Sequence, residues 1–389
     1  MSRWNEPRSE RVGHLQQSEI RRMTRECVRV DGINLGQGIC PLPSPTEILE
    51  AASDAILADK STYSKFEGVD DLRYAIAKKL ARDNGLEIDA DRELVVTVGS
   101  AGAFICTLQG LLNQGDEVVV FEPFYGYHVN ALTVCGCVPR FVTMHAPDWT
   151  FTREALEAVI GPKTRAVLIN TPGNPSGKVY SREELELIAE VCTEHDLLAI
   201  TDEIYEYMVY DGREHISMAT IDGMWERTVT LSGFSKTFAI TGWRLGYAVG
   251  PEHLTTPIGL VNDLFYICAP TPLQHGLAAG MSRLGPSYYT EMCERYRKKR
   301  DFFCDALEAA GLKPHIPQGS YYILADVSPL GLNDAKAAAM HILETTGVTS
   351  VPGSAFFASD TGRNLVRFCV AHEWELLRKA ADALKELDI

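Results

Sequence analysis

Positive charge is scarce in this chain. Its 389 residues carry 37 Lys and Arg against 52 Asp and Glu, for a formal net charge of −15. Nucleic-acid binding needs clustered cations to neutralise phosphates, so the balance argues against that class of partner. It argues equally against docking on an anionic membrane surface. Any anionic ligand must be captured by a few local cations against the overall field. Also missing is any apolar run of membrane-spanning length. Nothing repeats, and no stretch is low in complexity. The opening MSRWNEPRSERVGH is charged and lacks the apolar stretch of a secretory signal. The ten cysteines show no metal-ligand or redox spacing, since the closest pair, Cys135 and Cys137, is C-x-C. No metal site is expected. Cys106, Cys268 and Cys369 lie in apolar runs and read as small core fillers. Reduced thiols and a cytoplasmic setting are expected.

What is present is a large α/β pattern. A hydrophobic fraction of 46% supplies an ample core, and the length exceeds one typical domain. Apolar strand candidates run over 93–99, 117–122, 140–144, 166–171, 198–202, 228–231 and 245–249. Amphipathic helices lie between them, one opened by a Ser181/Glu184 capping-box signature. Such alternation predicts a mostly parallel seven-stranded sheet flanked by helices. Its chemistry belongs at the strands' carboxyl ends. Gly285-Pro286 breaks the pattern. A long helix, a Tyr321–Leu324 run, a strand over 365–370 and a final helix follow. The predicted organisation is an N-terminal arm over 1–45, a large domain over 46–285 and a smaller α+β lobe over 286–389, which the arm joins.

The most informative residue is Lys236, in Ser232-Gly233-Phe234-Ser235-Lys236, just beyond the run Thr228–Leu231. A strand tip ending in small residues holds an amine in one place, where it can form an imine with an aldehyde cofactor. Arg244, eight residues on, is near enough to hold that cofactor's charged tail. Asp202 ends another strand, where it can keep a pyridine nitrogen protonated or simply cap the next helix. The turn Asn170-Thr171-Pro172-Gly173-Asn174-Pro175-Ser176-Gly177 is either a tight connection or a rigid mount for the Asn174 amide. Tyr205 could donate to the same ring oxygen. Gly99-Ser100-Ala101-Gly102 leads from strand to helix, where small residues let backbone N–H groups meet a phosphate or let helix and strand pack closely. Tyr125 can stack on a heteroaromatic ring or fill core space. Arg367 lies inside the apolar run Leu365–Val370. A buried arginine needs a partner, supplied by an internal salt bridge or by a substrate carboxylate gripped bidentately. Tyr63 alone is an ordinary tyrosine.

Each string is ambiguous, but their joint order is not. NxPxNP[ST]G, DExY and SxSKxxxxxGxR, the last with Gly233 in place of its first serine, stand in the order seen in the class I/II aminotransferases of the pyridoxal-phosphate fold-type I superfamily, which the chain resembles from about residue 30 to the C-terminus. The resemblance implies that Lys236 bonds the aldehyde of pyridoxal 5′-phosphate and later shuttles the substrate proton. Asp202 would pair with the ring nitrogen, Asn174 and Tyr205 with the ring's phenolic oxygen, and Tyr125 with its face. Ser100, the Ala101 amide and Arg244 would hold the phosphate, with Ser232 or Ser235 adding a hydroxyl. Arg367 would bind the substrate carboxylate, beside the segment containing Gly36 and Gly38. The residue matching Tyr63 reaches the neighbouring subunit's phosphate, which implies a homodimer with shared sites.

For substrate choice, aspartate-specific relatives use a second cation. None occurs between Arg244 and Arg283 or from Ala101 to Pro139. A neutral or aromatic amino acid, with a 2-oxo acid such as 2-oxoglutarate as acceptor, is therefore expected. A cysteine-conjugate-type β-lyase and an aspartate aminotransferase with a non-standard side-chain pocket remain the alternatives.

Overall fold

A computed structural model of the chain describes residues 9–13, 15, 18–332 and 334–387. The charged opening segment, residues 1–8, and so part of the expected N-terminal arm, lies outside the described residues. The strands are β1 (Ile33–Asn34), β2 (Leu94–Val98), β3 (Glu117–Glu122), β4 (Val138–Thr143), β5 (Thr164–Asn170), β6 (Leu198–Asp202) and β7 (Thr228–Gly233). They continue with β8 (Leu245–Val249), β9 (Lys313–His315), β10 (Tyr322–Asp326), β11 (Val348–Thr349), β12 (Val351–Pro352) and β13 (Leu365–Cys369).

Seven strands form one sheet in the order β2-β8-β7-β6-β5-β3-β4. Its central strands read as continuous apolar runs because helices cover both faces. β8 is the exception in direction: it pairs antiparallel with both β2 and β7. The carboxyl ends of β2, β3, β5, β6 and β7 therefore share one edge with the amino end of β8. Register aligns that edge, since Asn170 pairs with Asp202 and Asp202 with Leu231. β4 begins at Val138 rather than at the expected Arg140. As an edge strand it alternates exposed and covered residues, so its start carries no long apolar run.

The helix Arg182–Glu194 begins with the expected capping box. Ser181 Oγ accepts the Glu184 N–H at 3.2 Å, and Glu184 Oε2 accepts the Ser181 N–H at 2.9 Å. Beyond the helix Pro286–Ala309, strands β12-β13-β10-β9 form an antiparallel sheet. The N-terminal segment joins this region through β1, which pairs parallel with β11 at Ile33–Val348. The two sheets share a core: Phe121, Val167 and Ile169 pack in one cluster with Leu324, Val351, Phe356 and Leu365. Buried Glu122 tightens the junction by accepting from the Ala358 N–H at 2.7 Å and the Ser359 hydroxyl at 2.6 Å.

Candidate active site

The motifs converge on one cavity of about 510 Å³ at the shared sheet edge. Of the expected site residues, Tyr63, Ser232 and Gly36 do not line it, and Tyr63, which is 78% exposed, stands outside its own chain's cavity; all the others do. Arg244 reaches the edge for a reason of topology. It immediately precedes β8, whose reversed direction brings its start, not its end, to the site.

Two glycines set the end of the cavity nearest that arginine. Gly99 opens the helix Gly99–Leu111 with φ +71°, and an added Cβ would sit 2.6 Å from Arg244 Nη2. On the facing strand, a Cβ at Gly246 would meet the Gly99 and Ser100 backbone at 2.4 Å. This close approach gathers a guanidinium and the first N–H groups of a helix in one place. The helix dipole and the fixed cation both favour an anion there.

Deeper in, Asp202 is buried with no Lys or Arg partner among the described residues. Its Oδ1 accepts the Ile204 N–H at 3.3 Å, and its Oδ2 lies 2.9 Å from His128 Nε2. The His128 ring stands edge-on to Tyr125, with centroids 5.2 Å apart. A carboxylate at that depth with no Lys or Arg beside it suits a protonated ring nitrogen. Asn174 gives its amide oxygen to Arg367 Nη1 at 2.9 Å, which leaves its amide nitrogen as the donor for a ligand. The Tyr205 hydroxyl, expected to face that same ligand oxygen, lines the cavity but donates to Tyr322 at 3.2 Å. Burial pushes both phenols up, Tyr322 to about 12, so both stay protonated at neutral pH.

Lys236 is half-buried, and its amine donates to the Gly38 carbonyl at 3.1 Å. Desolvation lowers its pKa, outweighing the thiols of Cys369 and Cys40 and the Asp202 carboxylate, which act the other way. Gly38 has no room for a side chain, because a Cβ would fall 1.9 Å from the Tyr322 hydroxyl. Of the two candidate serines, Ser235 lines the cavity, whereas Ser232 turns away and donates to Glu206 at 3.2 Å.

Arg367 is 1% exposed. It donates to Asn174 and to the Gly36 carbonyl at 2.5 Å, and its Nε has no partner. Among the described residues no carboxylate pairs with it, so the internal salt bridge weighed from the sequence does not form. Its guanidinium lies 4.3 Å from the Tyr322 ring centroid and 4.9 Å from that of Phe356.

Among the lining residues that the sequence did not single out are His128, Tyr322 and Arg21. A histidine three positions after Tyr125 on a helix start was a usable signal for the first. Nothing local marks the other two.

The sequence profile described as "Aminotransferase class I and II" matches residues 30–384. This chain belongs to that family. It is 36% identical to kynurenine–oxoglutarate transaminase 3 of Rattus norvegicus, over 93% of this chain and 86% of that protein. It is 34% identical to aromatic-amino-acid aminotransferase 2 of Thermococcus litoralis, over 97% of each. Among solved structures, N-succinyldiaminopimelate aminotransferase of Mycobacterium tuberculosis superposes with a TM-score of 0.94 at 32% identity, covering 98% of this chain and 100% of that one. The chain is thus a transaminase of fold type I, as the order of its motifs implied. Enzymes of this family work with pyridoxal 5′-phosphate. The donor set fits that group: an anion cradle that a side chain on Gly99 would crowd, a half-buried amine, and a buried carboxylate whose partner is a histidine and not a Lys or Arg.

Proposed function

We propose that this aminotransferase moves an amino group between an L-amino acid with a neutral or aromatic side chain and a 2-oxo acid such as 2-oxoglutarate. The observation that carries the reading is the half-buried Lys236 amine sharing one cavity with Asp202 and with the carboxylate-free Arg367. The names of the relatives in rat and Thermococcus litoralis favour the aromatic side-chain class. Tyr125, Tyr127 and Tyr322 on the cavity wall favour it as well.

When bound, pyridoxal 5′-phosphate supplies an aldehyde for the substrate amine and a ring that accepts the electron pair released at Cα. Lys236 would carry the proton between substrate Cα and cofactor C4′, a task eased by its lowered pKa, since a neutral amine is a base. Asp202, steadied by His128, would keep the ring nitrogen protonated. Asn174 and Tyr205 would bond the ring oxygen, and Tyr125 would cover one face. The first turn at Ser100 and Ala101, with Ser235 and Arg244, would hold the phosphate. Arg367 would grip the substrate α-carboxylate next to Gly38.

A homodimer would complete the site, with Tyr63 reaching the neighbouring subunit's phosphate. Leu260, Leu264 and Phe265 support this, forming an exposed apolar stripe on the helix Glu252–Tyr266. That helix packs on the helix Gly99–Leu111 at the phosphate end. Segments 1–45 and 286–389 would act as one small lobe closing over the substrate, tied together by the β1–β11 pairing. Among the described residues no helix is long and apolar enough to cross a membrane. A cytoplasmic setting accords with that and with the cysteine usage.

A half-reaction screen against the common L-amino acids tests the reading. The holoenzyme absorption band should shift stoichiometrically with aromatic or neutral donors, and an added 2-oxo acid should restore it. Steady release of pyruvate and ammonia from cysteine conjugates without an acceptor would instead identify a lyase. His128→Phe keeps the ring packing but removes the Asp202 contact. It should weaken cofactor binding roughly 10-fold, the scale of one lost buried hydrogen bond, as read by spectral titration of the apoenzyme.

A further inference from the structure

Four Lys or Arg side chains line the cavity: Lys236, Arg244, Arg367 and Arg21. The proposed function employs the first three. Arg21 sits in the first turn of the helix Glu19–Arg29. The neighbouring charges there are already satisfied, since Glu19 pairs with Arg22 at 2.7 Å and with Lys336 at 3.0 Å. Arg21 has no hydrogen bond or ion pair among the described residues. The sole carboxylate on the cavity wall is Asp202, which is turned to His128.

The helix is firmly seated. Met23 and Cys27 are buried on it, and Ile20 packs against the cluster containing Val351 and Phe356. Val351, in β12, pairs in register with Arg367 in β13. The helix therefore leans on the strand beside the buried arginine and presents Arg21 to the same space. Arg367 is walled in by rings and carbonyls, whereas Arg21 is exposed and long. A hydrated arginine can turn inward to an anion or outward to water without leaving a buried charge unpaired.

We infer that Arg21 is a specificity residue that receives the distal carboxylate of a dicarboxylic substrate while Arg367 holds the carboxylate beside the reacting carbon. The inference rests on reading this cavity as the substrate site. It explains how one pocket serves two chemistries. Arg21 turns in for a five-carbon dicarboxylate such as 2-oxoglutarate or glutamate, and turns out for an aromatic or aliphatic side chain. The missing second cation thus comes from the N-terminal helix, not from either segment searched in the sequence.

Calorimetric binding of glutarate and pentanoate to the cofactor-loaded enzyme tests this directly. The two ligands match in length and differ by one carboxylate. Wild type should bind glutarate roughly 10- to 100-fold tighter, the size of one charge-assisted pair. Arg21→Gln should erase most of that ratio, and Arg21→Lys should restore part of it. In turnover, Arg21→Gln should raise KM for 2-oxoglutarate over KM for 2-oxopentanoate by the same factor. A wild-type enzyme without glutarate preference, or an Arg21→Gln variant that keeps it, would overturn the inference. Failure of every amino acid to drive a half-reaction would instead sink the transaminase substrate reading, and the calorimetric ratio would still decide the role of Arg21.

Discussion

Lys236→Ala is expected to lower turnover roughly 10²- to 10⁴-fold, the range contributed by a positioned general acid–base group. The far-ultraviolet dichroism and thermal transition should persist, because the amine makes one hydrogen bond, to the Gly38 carbonyl, and closes no core. The loss should appear in a single-turnover half-reaction with an aromatic donor, not only in the steady state. That placement matters: a defect confined to product release would leave the single turnover fast. Wild-type rates in the variant would remove Lys236 from the mechanism altogether.

The same amine has a consequence for stability. Its folded pKa is lowered by burial, so the unfolded chain binds more protons wherever the two forms differ. Stability of the cofactor-free protein therefore rises with pH through that window. The penalty is largest below the depressed folded pKa and gone above the ordinary lysine value. Lys236→Met, which keeps the volume and drops the charge, should stabilise the apoenzyme at neutral pH. The advantage should shrink as pH climbs toward the lysine range. Denaturant midpoints measured at several pH values would read it, and a pH-independent difference would contradict the buried-charge account.

Much of this was legible along the chain because the chemistry sits at strand ends. Lys236, Asp202 and Asn174 each follow an apolar run, and a parallel sheet brings such ends together whatever the loops do. Arg244 was legible by spacing, but its reason was not: only the antiparallel course of β8 carries it to the shared edge. His128 stayed hidden because it sits on a helix and its partner ends a strand 74 residues away. The choice between Ser232 and Ser235 turned on Glu206, which claims the former. Arg21 was invisible for a related reason. Its place on the same cavity wall as Arg367 depends on β12 pairing with β13, and no local pattern near residue 20 reports that pairing. Pairwise side-chain geometry across distant segments is the part that periodicity and motif spacing do not encode.

Arg367→Lys should cost roughly 10- to 100-fold in kcat/KM, carried mostly by KM, and Arg367→Ala more. The reasoning starts from the unpartnered Nε on a 1% exposed guanidinium. A buried cation held only by Asn174 and the Gly36 carbonyl is incompletely neutralised, so the site is poised for an anion. A carboxylate can take two parallel N–H bonds from that planar fork. Lysine keeps the charge but offers a point donor, and loses one charge-assisted bond of about 1.5–3 kcal/mol. Alanine loses the pair outright, a change of about 2–5 kcal/mol, and frees the Asn174 amide oxygen as well. Because substrate and transition state keep the same α-carboxylate, the contact is uniform binding, and its removal falls on KM more than on kcat. Steady-state kinetics with one aromatic donor at saturating 2-oxo acid would separate the two constants. An equal fall in kcat with KM unchanged would move Arg367 from holding the substrate to organising the reacting centre through Asn174.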